Sequence, residues 1–205
     1  MKSLIFIIPA ILALACGTNG SEEQNSAVEI IEEETASEEV LVNTAANTDS
    51  YPDMMYVIRN GSVGLFEIGI VKDKVEELAL VYDNVEIEEI DLMAEGMPTP
   101  TLELTFDGSE TITLQLGEAD FTVCRIEVNT SLFTTAEGIG IGSTYGDLES
   151  NYVFDGIAWG DGGDPLVIVE EAGLSFIIEP GDWWQMGDVE GEIPGDTEVT
   201  AIILW

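Results

Sequence analysis

Between residues 64 and 204 one pattern is written twice, and this repetition limits the possible fold more than any other feature. Ile68-Gly69 is followed after five residues by Val75-Glu76, and Ile141-Gly142 after five residues by Leu148-Glu149. Each pair opens a short helical stretch, ending near Tyr82 in the first copy and near Tyr152 in the second. In the second copy Ser143 or Thr144 can cap the helix by accepting a backbone N–H. Downstream, Pro100 precedes the alternating Leu102, Leu104 and Phe106, closed by Asp107-Gly108, and Pro165 precedes the apolar run Leu166 to Val169, closed by Ala172-Gly173. The Pro-to-Gly spacing is eight in both copies, and Asp-Gly is a strong hairpin turn signal. Return strands follow at Thr111 to Leu116 and Leu174 to Ile178, and third strands at Thr122 to Val128 and Glu198 to Leu204. The pattern predicts an α+β domain over residues 51–205, built from two repeats at about 64–128 and 137–204. Each repeat is one helix plus three antiparallel strands, and together they form a sheet with helices on one face. About 155 residues suffice for a single domain with a real core.

The glycine-to-aliphatic spacing, Gly69 to Val75 and Gly142 to Leu148, resembles that of small secreted repeat domains. That family includes the β-lactamase inhibitor protein and the SmpA-type outer-membrane lipoprotein. Its units begin with Ile, Gly and a polar cap; the first copy here has Ile70 and Val71 where Met or Ser and then Thr are usual. The resemblance implies an antiparallel sheet with helices on one face and a protein-binding surface on the other. A fold does not fix its use.

Ahead of the domain the chain changes character. Lys2 is the only charged residue before Cys16, and Leu4 to Ala15 form an apolar run too short to span a bilayer, which takes roughly 20 residues. A charged start, a short apolar core and small residues before a cut site describe a secretory signal peptide, here residues 1–15. The junction Leu12-Ala13-Leu14-Ala15-Cys16-Gly17 resembles a lipobox, with Ala13 where Leu is usual. The resemblance implies cleavage before Cys16, diacylglycerol on its thiol, and a lipid-anchored place in the bacterial envelope. The outer membrane is the expected site, with the domain facing the periplasm or the outside. Residues 17–50 are rich in Ser, Thr, Asn, Ala and Glu and hold no Lys, Arg, Pro or aromatic residue. Such a stretch buries too little apolar surface to offset its chain entropy and reads as a disordered acidic tether. Ser21-Glu22-Glu23 resembles the acidic export signal of surface lipoproteins in Bacteroidetes.

Charge narrows the partners. The chain carries 41 acidic and 5 basic residues, for a formal charge of −36. Beyond Lys2 the only cations are Arg59, Lys72, Lys74 and Arg125. Nucleic acid and anionic lipid headgroups need Lys and Arg, so neither is an expected partner. Cations or a basic protein are, and so is a saline habitat, where salt screens the self-repulsion.

Residue types exclude much chemistry. The chain has no His, which removes Ser-His-Asp and Cys-His arrangements and histidine metal sites. Gly138, Gly140 and Gly142 make no dinucleotide fingerprint and are expected to turn a strand tightly into a helix. Cys124 shares a period of two with Ile126 and Val128, which predicts an inward-facing residue acting as a small hydrophobe. The alternative is a reactive thiol, and that needs a neighbouring cation or His. No protein cofactor is expected, with calcium the one metal left open because it takes clustered carboxylates and carbonyls. Asp155, Asp161 and Asp164 in the Gly-rich segment 154–164 are the candidate ligands; a second acidic loop holds Asp182, Asp188, Glu190 and Glu192. Neither follows EF-hand spacing.

Trp159, Trp183 and Trp184 lie in these same polar segments. They either cap the open end of the core or form a ligand-binding surface, stacking on sugars or anchoring a protein. Trp205 ends an apolar strand and is expected to pack. The sequence thus predicts a membrane-anchored, non-enzymatic protein-binding or adaptor domain. Two alternatives remain, a carbohydrate-binding or glycoside-cleaving lipoprotein and an acidic inhibitor of a basic envelope enzyme.

Overall fold

Short turns cut the chain into strands. The computed structural model describes residues 54–94, 97–160, 162–185, 188–189 and 192–205, all within one compact unit. Asn60-Gly61, with Gly61 at φ 72°, turns β1 (Val57–Arg59) into β2 (Ser62–Val63), and β3 (Phe66–Glu67) follows. Next comes α1 (Lys72–Ala79), eight residues whose Val75 and Ala79, one turn apart, are buried. A long hairpin of β4 (Val85–Ala94) and β5 (Met97–Phe106) leads through Asp107-Gly108 to β6 (Glu110–Leu116) and β7 (Val123–Asn129). Both turn residues have positive φ, 48° and 79°. After β8 (Thr134–Thr135) comes α2 (Tyr145–Asn151), where Thr144 is the N-cap in a reciprocal capping box with Asp147. The remaining strands are β9 (Gly156–Trp159), β10 (Pro165–Val169), β11 (Leu174–Ile178), β12 (Trp184–Gln185), β13 (Asp188–Val189) and β14 (Val199–Leu204).

Eight strands form one sheet in the order β4-β5-β6-β7-β14-β11-β10-β9, antiparallel throughout. A four-stranded sheet, β3-β2-β1-β8, and the two-stranded β12-β13 complete the architecture. This corrects the α+β expectation of two helix-plus-three-strand repeats. The described chain is predominantly β with two short helices, and four strands of the large sheet follow each helix. The reason lies at the two sheet edges. β4 runs through Glu86, Glu88, Glu89 and Asp91, and its apolar residues change phase after Ile87, so no clean alternation marks it. β9 sits in a Gly-Asp-rich stretch that has the composition of a loop.

Cross-strand pairing builds the core as continuous apolar rows. Leu104 faces Ile112, which faces Val128, then Ile202, Phe176 and Val167. A second row runs Leu102, Leu114, Ile126, Leu204, Leu174 and Val169. All are buried in one cluster that also holds Val75 of α1 and Leu148 of α2. Aromatic rings tie the small sheet to this core. Phe66 stacks on Tyr82 at 5.5 Å, Tyr82 meets Phe106 edge-on at 5.5 Å, and Phe106 meets Phe133 at 5.4 Å.

The period of two fails at Cys124. Gln115 pairs with Arg125 and Leu116 with Val123, so Cys124 is the extra residue of a β-bulge. Val123 therefore takes the buried position, and Cys124 is half-buried with its Sγ 3.5 Å from the Gln115 carbonyl oxygen. Trp205 is likewise half-buried rather than fully packed. Among the described residues no helix is long and apolar enough to cross a membrane. Cys16, the leader and the tether lie outside the described residues.

Candidate functional site

The three loop tryptophans come together at the β9 end of the large sheet. Trp159 is the last residue of β9, directly across from Pro165. Beyond it the chain reverses through a tight turn in which Gly160 N–H donates to the Asp164 carbonyl at 2.8 Å and Gly163 N–H to the Gly160 carbonyl at 2.9 Å. Gly163 has φ 87°, a conformation open to glycine at little cost. The turn presents the Gly163 carbonyl to Trp184, whose indole Nε1–H donates to it at 2.8 Å. Trp184 lies between its two neighbours, with ring centroids 6.5 Å from Trp159 and 6.0 Å from Trp183.

The three rings differ in exposure, and this divides the two readings of them. Trp183 is 7% exposed and belongs to the core cluster, so it closes the end of the core. Its indole lies against Gly181, where a Cβ would fall 2.7 Å from Nε1; only glycine fits under the ring. Trp184 is half-buried. Trp159 is 56% exposed, so one face of a large apolar ring is open to solvent beside two better-packed indoles.

A depression of about 550 Å³ adjoins Trp183. Glu179, Asp182 and Asp196 line it together with Pro180, Pro194 and Thr197. Three carboxylates and no cation on its wall favour positively charged groups.

The calcium candidates are differently placed. Asp155 Oδ2 accepts from Glu170 N–H at 2.7 Å, capping the 3₁₀ turn Glu170–Ala172. The Asp164 backbone is tied into the 160–164 turn, while Asp161 lies outside the described residues. Among the described residues no group of three potential ligands gathers as a metal site would require. In the second acidic loop Glu190 lies outside the described residues, Glu192 is exposed, and Asp182 lines the depression.

Another concavity escaped the sequence reading. Lys72, Glu89, Asp91, Thr101 and Phe121 line a cleft of about 190 Å³ between α1 and the β4–β5 hairpin. Lys72 Nζ is ion-paired with Glu89 and lies 4.0 Å from Glu76. The hydrogen bond to Glu89 is the main influence holding the Lys72 pKa above its ordinary value. Phe121 is half-exposed at φ 51°, a left-handed conformation costly for a bulky side chain. No short motif encodes such a site, because its parts lie far apart in the sequence.

No protein-family model and no curated protein matches the chain. Among solved structures, the uncharacterized protein yfeY from Escherichia coli is similar, at 19% identity and a TM-score of 0.46, over 68% of this chain and 95% of that one.

Proposed function

We propose that this chain is a lipid-anchored protein of the bacterial envelope whose β domain is a non-enzymatic protein-binding module. The exposure of Trp159 carries the reading. A tryptophan 56% open to solvent, backed by a second indole that in turn meets Trp183 at the wall of a carboxylate-lined depression, has the character of a contact hot spot. Sequence supports the tether. The apolar leader, Ala15-Cys16-Gly17 and the polar stretch after it suit a domain held at a distance from a membrane.

Two measurements test the two parts. Cys16→Ser should abolish incorporation of labelled fatty acid and release the chain from the membrane fraction; unchanged labelling would refute the anchor. A photo-crosslinking amino acid at position 159, in cells carrying the full chain, should give a discrete protein adduct absent when the same group is placed at exposed Leu80. Equal patterns at the two positions would refute the contact surface.

A further inference from the structure

We propose that the open edge of β9 accepts an extended, cationic segment of a partner protein as an additional β-strand. The proposal rests on the protein-binding reading above and specifies the mode and the chemical class of the partner.

The edge has unused hydrogen-bonding capacity. β9 is terminal in the eight-stranded order and pairs only with β10 among the described residues. In an antiparallel pair, hydrogen-bonded and non-bonded positions alternate. Gly160 and Asp164 form a bonded position, with Gly160 N–H on the Asp164 carbonyl. Counting back along the register, Ala158 with Leu166 and Gly156 with Ile168 are bonded positions as well. Ile157 and Trp159 are then the non-bonded ones, and their N–H and C=O groups point away from β10 toward the open side.

The edge is also unguarded. Natural sheets protect free edges with charges, proline or bulges. β4 at the opposite edge follows that rule, with Glu86, Glu88, Glu89 and Asp91 along it and Lys72 reaching over to Glu89. Gly156-Ile157-Ala158-Trp159 carries no charge and no proline. An incoming strand would lay alternate side chains beside Trp159, where Trp184 backs the ring.

Charge selects the occupant. From Ile126 to Trp205 the chain has no Lys, Arg or His. Asp155 precedes β9 and Asp164 closes its turn, while Glu179, Asp182 and Asp196 line the depression beside Trp183. This field repels a second copy of the chain and attracts a lysine- or arginine-bearing segment. Main-chain pairing would supply affinity and the indoles with the carboxylates selectivity, as in other strand-addition complexes.

The test uses the full-length chain in detergent micelles and an end-blocked peptide of alternating lysine and valine. Binding is followed by tryptophan fluorescence, and amide exchange is followed residue by residue. The lysine peptide should bind, bind more weakly as NaCl is raised, and slow exchange at Ile157 and Trp159 at least tenfold while leaving Ile87 and Glu89, the outward positions of β4, unchanged. A glutamate-for-lysine peptide, and a lysine peptide N-methylated at every second amide on the pairing side, should not bind. Ile157→Pro removes one outward donor at an edge position that tolerates proline and should weaken binding about tenfold. Because the N-methylated peptide leaves the protein untouched, the result does not depend on that variant folding. Absence of lysine-peptide binding would overturn the proposal, as would equal binding of the N-methylated peptide. A peptide that binds and perturbs tryptophan fluorescence without slowing the two amides would overturn strand addition yet leave the tryptophan contact surface standing. Loss of the crosslink at position 159 would remove that surface itself.

Discussion

The indole N–H of Trp184 donates to the backbone carbonyl of Gly163 at 2.8 Å, fastening the β12 strand to the turn that follows β9. The bond holds the ring that backs exposed Trp159. Trp184→Phe keeps an aromatic ring but loses the donor. It should lower stability by about 1 kcal/mol and increase amide exchange in residues 160–164. Urea unfolding and exchange rates check this; unchanged exchange in the turn would show that the bond is not what orders it.

Tyr82 occupies a comparable position in the first half. Its hydroxyl donates to the Met55 carbonyl at 2.9 Å and accepts from Leu65 N–H at 3.0 Å. Tyr82→Phe leaves both backbone groups without that partner and should cost about 1–3 kcal/mol. Gly64 lies beneath the same hydroxyl at φ 56°, where an added Cβ would overlap both the Tyr82 oxygen and the Met55 carbonyl. Gly64→Ala should destabilise by more than about 2 kcal/mol, through strain as well as overlap. The double variant should cost less than the sum, because losing the hydroxyl removes one of the two overlaps. Additive losses in denaturant unfolding would contradict this geometry.

How far the sequence led can be judged strand by strand. Asp107-Gly108 marked the β5–β6 hairpin, and the apolar alternation before it placed Leu102, Leu104 and Phe106 in the core. Asn60-Gly61 carries a similar turn signal, yet the strands beside it are only three and two residues long, too short for periodicity to show. Both edge strands were missed for a common physical reason. An edge strand pairs on one side only, so acidic β4 and glycine-containing β9 are freed from the apolar alternation by which central strands are recognised. At the candidate site, the presence of tryptophans in polar segments was legible. Their division into buried Trp183 and exposed Trp159 was not, because it depends on a turn at 160–164 and on Gly181, features that composition does not reveal.

Burial pushes the phenols of Tyr82 and Tyr152 up to about 12. A free tyrosine titrates near 10, so the folded state favours the neutral phenol. That contribution is fully present below about pH 10 and is lost as pH rises through about 12. Phenolate absorbance of the folded chain should therefore show Tyr82 and Tyr152 among the late-titrating tyrosines, and Tyr82→Phe or Tyr152→Phe should each remove one from that late phase. On the acid side, the Tyr152 hydroxyl, 2.8 Å from Glu137 Oε2, holds that carboxyl below its ordinary value. Tyr152→Phe should return the Glu137 titration, followed by NMR, toward the usual glutamate range. Titration of both tyrosines at their ordinary pH would show that neither phenol is held out of water.

The excess of 41 acidic over 5 basic residues predicts a response to salt. Folding gathers carboxylates closer together than the unfolded chain does, so their repulsion weighs against the folded state. Its range is roughly 30 Å at 0.01 M salt and about 3 Å at 1 M. The melting temperature of the full chain should rise between millimolar and molar NaCl. Added calcium at constant ionic strength separates screening from binding, since only a specific site would raise the melting temperature by mass action. A flat or falling melting temperature in NaCl would show that carboxylate repulsion is a minor influence.

The strand order has a consequence for when this domain becomes complete. β14 comes last of the eight strands in the chain yet lies in the middle of the sheet, between β7 and β11. During synthesis, β4 to β7 can zip as neighbours, and β9 to β11 can do the same, but each set waits with an exposed inner edge until Val199–Leu204 emerges. The pairing of Ile202 with Val128 spans more than seventy residues of intervening chain, a loop whose closure slows folding. Until that contact forms, two half-sheets coexist with adhesive borders. The dense negative charge then serves the nascent chain as well as the finished protein, since like-charged chains keep those borders apart.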